Sequence, residues 1–277
     1  MDNIHTSTAL QPMRIGQIMD RSLRLSKELL PKLIVLYVIM AAMQTAVQIL
    51  PDMQLGDPFT ASILVVGVSI LQIIFGFALF LCVTFITAEH WLGNQLSVMD
   101  AFRRISFGLI LRFIWLSIRI GFCMMFFLML LIVPGIVYFV NRFLSYYVLL
   151  LEDTSTGDAL RRSKTIMRHN PGKAWYSPSS PAMRLSGLML ILMLLQLIPG
   201  AIVGVSSVVM TGGAIDLITV VVVGVGNLLI QVISLYSAVT YVGFYYDLRN
   251  RYEGLDISKQ LEQLSSSDLP GAYAGRR

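Results

Sequence analysis

Charge is scarce in this chain. Only 13% of its 277 residues are Asp, Glu, Lys or Arg, against about a quarter in a soluble domain. Cysteine is scarcer still. Cys82 and Cys123 are the only two; both lie in apolar runs, with neither zinc nor disulfide spacing. They read as buried free thiols that pack as small hydrophobes. The three histidines, His5, His90 and His169, are too scattered for a metal centre. H-E-x-x-H, G-x-S-x-G and Walker A signatures are absent. No catalytic site and no cofactor are therefore expected. Glu89-His90 is the one adjacent acid and imidazole pair, and beside Trp91 at the end of an apolar run it reads as structural. A cleavable signal peptide is missing too. The first 32 residues carry five basic residues and two prolines rather than an apolar stretch and a small-residue cleavage site.

Apolar sequence is what the chain has. It is 56% hydrophobic with mean hydropathy +0.72. Runs at 33–50, 61–88, 109–133, 136–151, 185–209 and 217–244 stand out. About 20 helical residues cross the hydrocarbon core, so these read as six transmembrane helices, the 16-residue fourth being shortest. The expected fold is all-α: a polytopic membrane protein with one domain over 14–257, a disordered segment at 1–13 and a cytoplasmic tail at 258–277.

The basic residues give this bundle a direction. Of 21 Lys and Arg, 18 flank the runs on one side and three lie within runs. The alternate loops, 51–60, 134–135 and 210–216, have none and carry Asp52, Asp57 and Asp216. The positive-inside rule places both termini in the cytoplasm. Net charge +5 and pI near 9.3 then point to anionic headgroups as partners rather than nucleic acid.

Two stretches are basic and amphipathic. In Arg14–Leu30, Ile15, Ile18, Ser22, Leu25 and Leu29 fall on one stripe, with Arg21 and Arg24 on another. In Thr156–Arg168, Ala159, Leu160, Ser163, Ile166 and Met167 share a face; Arg161, Lys164 and Arg168 oppose them, and Arg162 adds to the basic count. Each segment either lies flat in the interface as a cytoplasmic amphipathic helix or packs on the bundle. Ser155 or Thr156 is suited to capping the second. Ser97-Val98-Met99-Asp100 and Ser155-Thr156-Gly157-Asp158 are near-repeats, each leading to a pair of arginines. With Pro51, Pro134 and Pro199 near the outer ends of odd-numbered runs, this outlines three similar hairpins.

Polar residues inside the runs invite chemistry. Gln44 with Gln48, and Asn227 with Gln231, are i, i+4 pairs on one helix face, suited to interhelical hydrogen bonds. Gly224 and Gly226 suit close helix packing. Arg119 and Arg142 fall near the membrane middle, where an arginine costs about 2.5–3.5 kcal/mol on insertion scales and no Asp or Glu within a run can pair with it. Arg112 lies near the inner end and can snorkel. The candidate anion or lipid contacts are therefore Arg119, Arg142, Asn141 and Arg112, with Gln196 and Gln231 as acceptors on the structural alternative.

Several phrases carry a family resemblance. They are Arg14-Ile15-Gly16-Gln17-Ile18-Met19-Asp20-Arg21-Ser22-Leu23-Arg24-Leu25, Ile132-Val133-Pro134-Gly135-Ile136, Arg142-Phe143, Asp158-Ala159-Leu160-Arg161-Arg162-Ser163, and Tyr246-Asp247-Leu248-Arg249 with Glu253-Gly254-Leu255-Asp256. Over about 14–257 the chain resembles the membrane domain that precedes some bacterial glycerophosphoryl diester phosphodiesterases, and related stand-alone membrane proteins. It departs from them at Pro171–Pro181. The resemblance implies a six-span domain without the soluble catalytic barrel. Two roles follow as expectations. One is a scaffold or accessory subunit in membrane-lipid or envelope processes, acting through a membrane or cytoplasmic protein partner. The other is a small transporter or lipid-handling protein with an Arg-lined intramembrane cavity.

Overall fold

The computed structural model describes residues 13–51, 58–168, 177, 180–211 and 217–254. The expected disordered N-terminus, most of two outer loops, the Pro171–Gly172 turn and the C-terminal tail lie outside these residues. What is described is helix and connecting turns: α1 (Ile15–Ile49), α2 (Pro58–Trp91), α3 (Val98–Arg103), α4 (Phe107–Leu130), α5 (Ile132–Phe143), α6 (Ser145–Leu151), α7 (Thr156–Arg168), α8 (Pro181–Thr211) and α9 (Leu217–Glu253). Six helical stretches are long and apolar enough to cross a membrane, α5 and α6 together forming the fourth. The chain is an all-α integral membrane protein.

Local chemistry sets the helix starts. Ser97 accepts from the Asp100 N–H at 3.1 Å, and its hydroxyl donates to the Asp100 carboxylate at 2.6 Å. Ser155 repeats both bonds with Asp158, at 3.2 and 2.6 Å. The near-repeat in sequence is thus one capping device used twice. Ser106 caps α4 and Ser180 caps α8, the latter with Pro181 at the first helical position. Gly254, with φ +60°, closes α9.

Two proline expectations change. Pro134-Gly135 is not the outer turn: that turn is the single extended residue Leu131, and Pro134 sits in the first turn of α5. Proline is tolerated there because the N–H it lacks has no intrahelical partner. Gly135 lets the hairpin close, since a Cβ there would stand 2.8 Å from the Leu128 side chain. Pro199 falls inside the fifth span, as the 185–209 run has it, and α8 continues through it to Thr211. Pro31 likewise fails to separate a flat helix from the first span. α1 is one helix of 35 residues. Its buried stripe Leu25, Leu29, Leu33, Tyr37, Ala41 crosses the proline without a break. At 1.5 Å per residue it is about 52 Å long, more than the hydrocarbon core needs.

The second amphipathic segment also packs against protein. All five residues of its apolar face are buried, as are Leu149 and Leu150 of neighbouring α6. That face is unavailable to lipid. Trp91, expected at headgroup level, is 2% exposed. It lies against Gly243 of α9, where a Cβ would come within 2.6 Å of its ring, and under the Arg21 guanidinium at 4.3 Å.

α1 and α9 share the longest seam, followed by α8 and α9. In the first, Gln231 donates to Gln44 at 2.9 Å, and Asn227 donates to Thr45 at 2.9 Å and Gln48 at 3.2 Å. The two i, i+4 pairs face one another. Gly226 admits Val203 of α8, where a Cβ would be 2.6 Å away.

Candidate functional site

Every ion pair among the described residues lies at the end of the bundle that carries the basic residues. Asp247 of α9 is fully buried; it pairs with Arg184 at 2.9 Å and Arg251 at 3.0 Å and accepts from the Met13 N–H at 2.6 Å. The Met13 carbonyl accepts from both arginines, at 3.0 and 2.6 Å. One buried carboxylate thereby joins the start of the described chain to α8 and α9. A second network ties α6 and α7 to α9: Arg162 pairs with Glu152 and with Glu253, Arg249 pairs with Glu253 at 2.9 Å, and Tyr245 donates to Glu152 at 2.5 Å. These groups neutralise one another and read as structural clamps.

The expected arginine site separates into parts. Arg112 is ion-paired with Asp153 at 3.1 Å. Asn141 donates a side-chain amide N–H to the Val137 carbonyl of its own helix at 2.7 Å, and its backbone carbonyl accepts from the Ser163 hydroxyl at 3.0 Å. Gln231 is committed to Gln44, and Gln196 to Ser234 at 3.5 Å. None of these is an acceptor for Arg119 or Arg142. Arg142 instead donates to the Leu160 carbonyl of α7 at 2.6 Å and lies 5.8 Å from the centre of the Tyr138 ring. Arg119 and Arg142 do meet, lining one cavity of about 480 Å³ with Arg161, Asp158 and Gly157 from the start of α7. Of the basic residues expected at an interface, Arg24, Arg161 and Arg168 are exposed, Lys164 is half-buried, and Arg21 and Arg162 have the protein partners above.

Comparison with known proteins returns nothing: no protein-family model, curated protein or solved structure matches the chain. The site is therefore argued from its geometry alone.

A second cavity, of about 750 Å³, lies mid-bundle between the α4–α6 segment and helices α2, α8 and α9. Its wall is aromatic (Phe77, Phe80, Phe113, Phe143) and carries neutral polar groups (Gln72, Ser117, Gln196, Ser234, Tyr241). No Asp, Glu, Lys, Arg or His lines it. Ser117 bonds its own helix carbonyl at 2.9 Å, whereas Gln72 has no hydrogen-bond partner among the described residues. A side-chain amide with unused donors and acceptors beside hydrocarbon is costly unless a polar group meets it. Ile73, 58% exposed, stands at the rim, so the cavity opens toward the lipid-facing surface. Sequence reading singled out Gln196 as a polar residue in an apolar run. It did not find the cavity, because the serines that complete it are ordinary within a helix. Among the described residues no cluster of three or more His, Cys, Asp or Glu could hold a metal.

Proposed function

We propose that the protein is a non-catalytic, lipid-handling accessory protein of the bacterial cytoplasmic membrane. The observation that carries this reading is the lateral cavity of about 750 Å³, aromatic, uncharged and open at an exposed apolar rim. Its volume suits part of a lipid, and pockets of this size and lining are usual for apolar ligands with a few fixed polar contacts. The missing charge selects against a phosphate inside it. The occupant is an acyl or isoprenoid chain, or a lipid with an uncharged polar group that reaches Gln72 and Ser234. This cavity is distinct from the Arg-lined one, because Arg119 and Arg142 line a separate cleft beside α7.

Orientation follows from the 18 basic residues flanking one side. The clamped end faces the cytoplasm, where a protein partner would dock. The resemblance to the phosphodiesterase-associated membrane domain agrees with a lipid setting. Two of its phrases also meet in space, Arg162 of one pairing with Glu253 of the other.

A lipid analogue with a diazirine on its chain tests the cavity. Photolysis with the purified full chain should label residues around Gln72 and Ser234, and Ser234→Phe should remove that label while leaving the melting temperature within a few degrees. Labelling confined to the outer girdle, unchanged by Ser234→Phe, overturns the reading. Orientation is checked with Leu55→Cys: an impermeant maleimide should modify it only from the periplasmic side.

A further inference from the structure

We propose that the cleft between α4, α5 and the start of α7 is a binding site for the phosphate of an anionic phospholipid, held by Arg119, Arg142 and Arg161. This goes beyond the lipid-handling reading and does not depend on it. The two cavities lie on different sides of α4. Phe113 and Ser117 face the mid-bundle cavity, while Arg119, six residues from Phe113, is rotated by about 240° at 100° per residue.

Three guanidinium groups line a space of about 480 Å³ with one carboxylate, Asp158. That carboxylate accepts from Ser155 and forms no ion pair with any of the three. Arg119 and Arg161 have no side-chain hydrogen bond or ion pair among the described residues. Arg142 uses one N–H on the Leu160 carbonyl and keeps the others. The excess of positive charge and unused planar donors fits a phosphate, which accepts several such bonds at once. Cations gathered at this depth repel one another and are costly beside hydrocarbon unless an anion joins them.

The surroundings favour a lipid over a free anion. Phe122 and Phe126, the next turns of α4, are 73% and 55% exposed, giving the chains of a bound lipid an aromatic surface beyond the headgroup. On the other side, exposed Gly157, Asp158 and Arg161 bring the polar surface of α7 level with Arg119. A headgroup can therefore reach Arg119 along α7 without crossing hydrocarbon.

Native mass spectrometry of the detergent-purified full chain, titrated with phosphatidylglycerol or phosphatidylcholine, tests the site. Wild type should bind phosphatidylglycerol about tenfold more tightly, and Arg119→Gln and Arg161→Gln should each remove about tenfold of that affinity, the scale of one lost charge-assisted contact. Neither side chain has a hydrogen bond or ion pair among the described residues, so the variants should keep the wild-type melting temperature. Arg112→Gln, which removes a paired arginine outside the cleft, should retain wild-type binding. Equal affinity for both lipids, equal loss in Arg112→Gln, or displacement of phosphatidylglycerol by millimolar inorganic phosphate would overturn the proposal; in the last case the site takes a soluble phosphate instead.

Discussion

The two ends of α2 have the same kind of sequence and opposite fates. From Leu79 to Trp91, Leu81, Cys82, Val83 and Ile86 are 0–4% exposed. Ile63, Leu64, Val66, Ile70, Leu71, Ile73 and Ile74 are 44–61% exposed. α9 repeats the contrast: Leu217 and Ile218 are 78% and 73% exposed, while Phe244, Tyr245 and Leu248 are fully buried. At the basic end the helices converge on one core and two ionic clamps. At the far end only Ile49, Val203 and Val223 form a small second cluster. In lipid, exposed apolar side chains carry no hydrophobic penalty, so the far half has no drive to close. Apolar side chains occur at both ends; polar links and small residues decide where the helices pack.

Breaking the clamp should show the contrast most strongly. Asp247→Ala leaves Arg184, 12% exposed in its side chain, and the Met13 N–H without their anion. A loss of about 3–5 kcal/mol is expected, as for other broken buried pairs. Reversible unfolding in bicelles or by steric trapping would measure it, and a loss below 1 kcal/mol would show that water reaches the clamp. Gly243→Ala comes next. Its Cβ would sit 2.6 Å from the Trp91 ring, so overpacking of about 1–3 kcal/mol is expected. Trp91→Ala in the same chain should cancel most of that cost, and strict additivity of the two changes would refute the contact.

Smaller effects are expected where the packing is sparse. Asn227→Leu removes two interhelical hydrogen bonds in the far half of the α1–α9 seam and should cost roughly 0.6–1.7 kcal/mol, the range for such bonds between membrane helices. A cost equal to that of Asp247→Ala would erase the distinction between the ends. Arg112→Ala should do least, below about 1 kcal/mol, because its pair with Asp153 is 43% and 82% exposed in the side chains.

Single-helix properties were legible without a structure. Six apolar runs, their helical state, the buried face Ala159–Met167 of α7, the Gln and Asn pairs of α1 and α9, and the Ser-x-x-Asp caps all follow from spacing of 3.6 residues per turn and from bonds spanning one turn. Arg119 and Arg142 stood out because charge in an apolar run is rare. The tertiary structure alone decided the rest. Pro31 sits inside a continuous helix whose buried residues Leu29 and Leu33 flank it on both sides. Arg112 found Asp153 and Arg142 found a carbonyl of α7, partners 41 and 18 residues away that no local pattern names. Arg161, which periodicity places on a solvated face, joins Arg119 only because α7 crosses beside α4. The mid-bundle cavity is likewise a property of separation between helices. Periodicity fixes which face of each helix is apolar; it carries no information about how far apart two such faces come to rest.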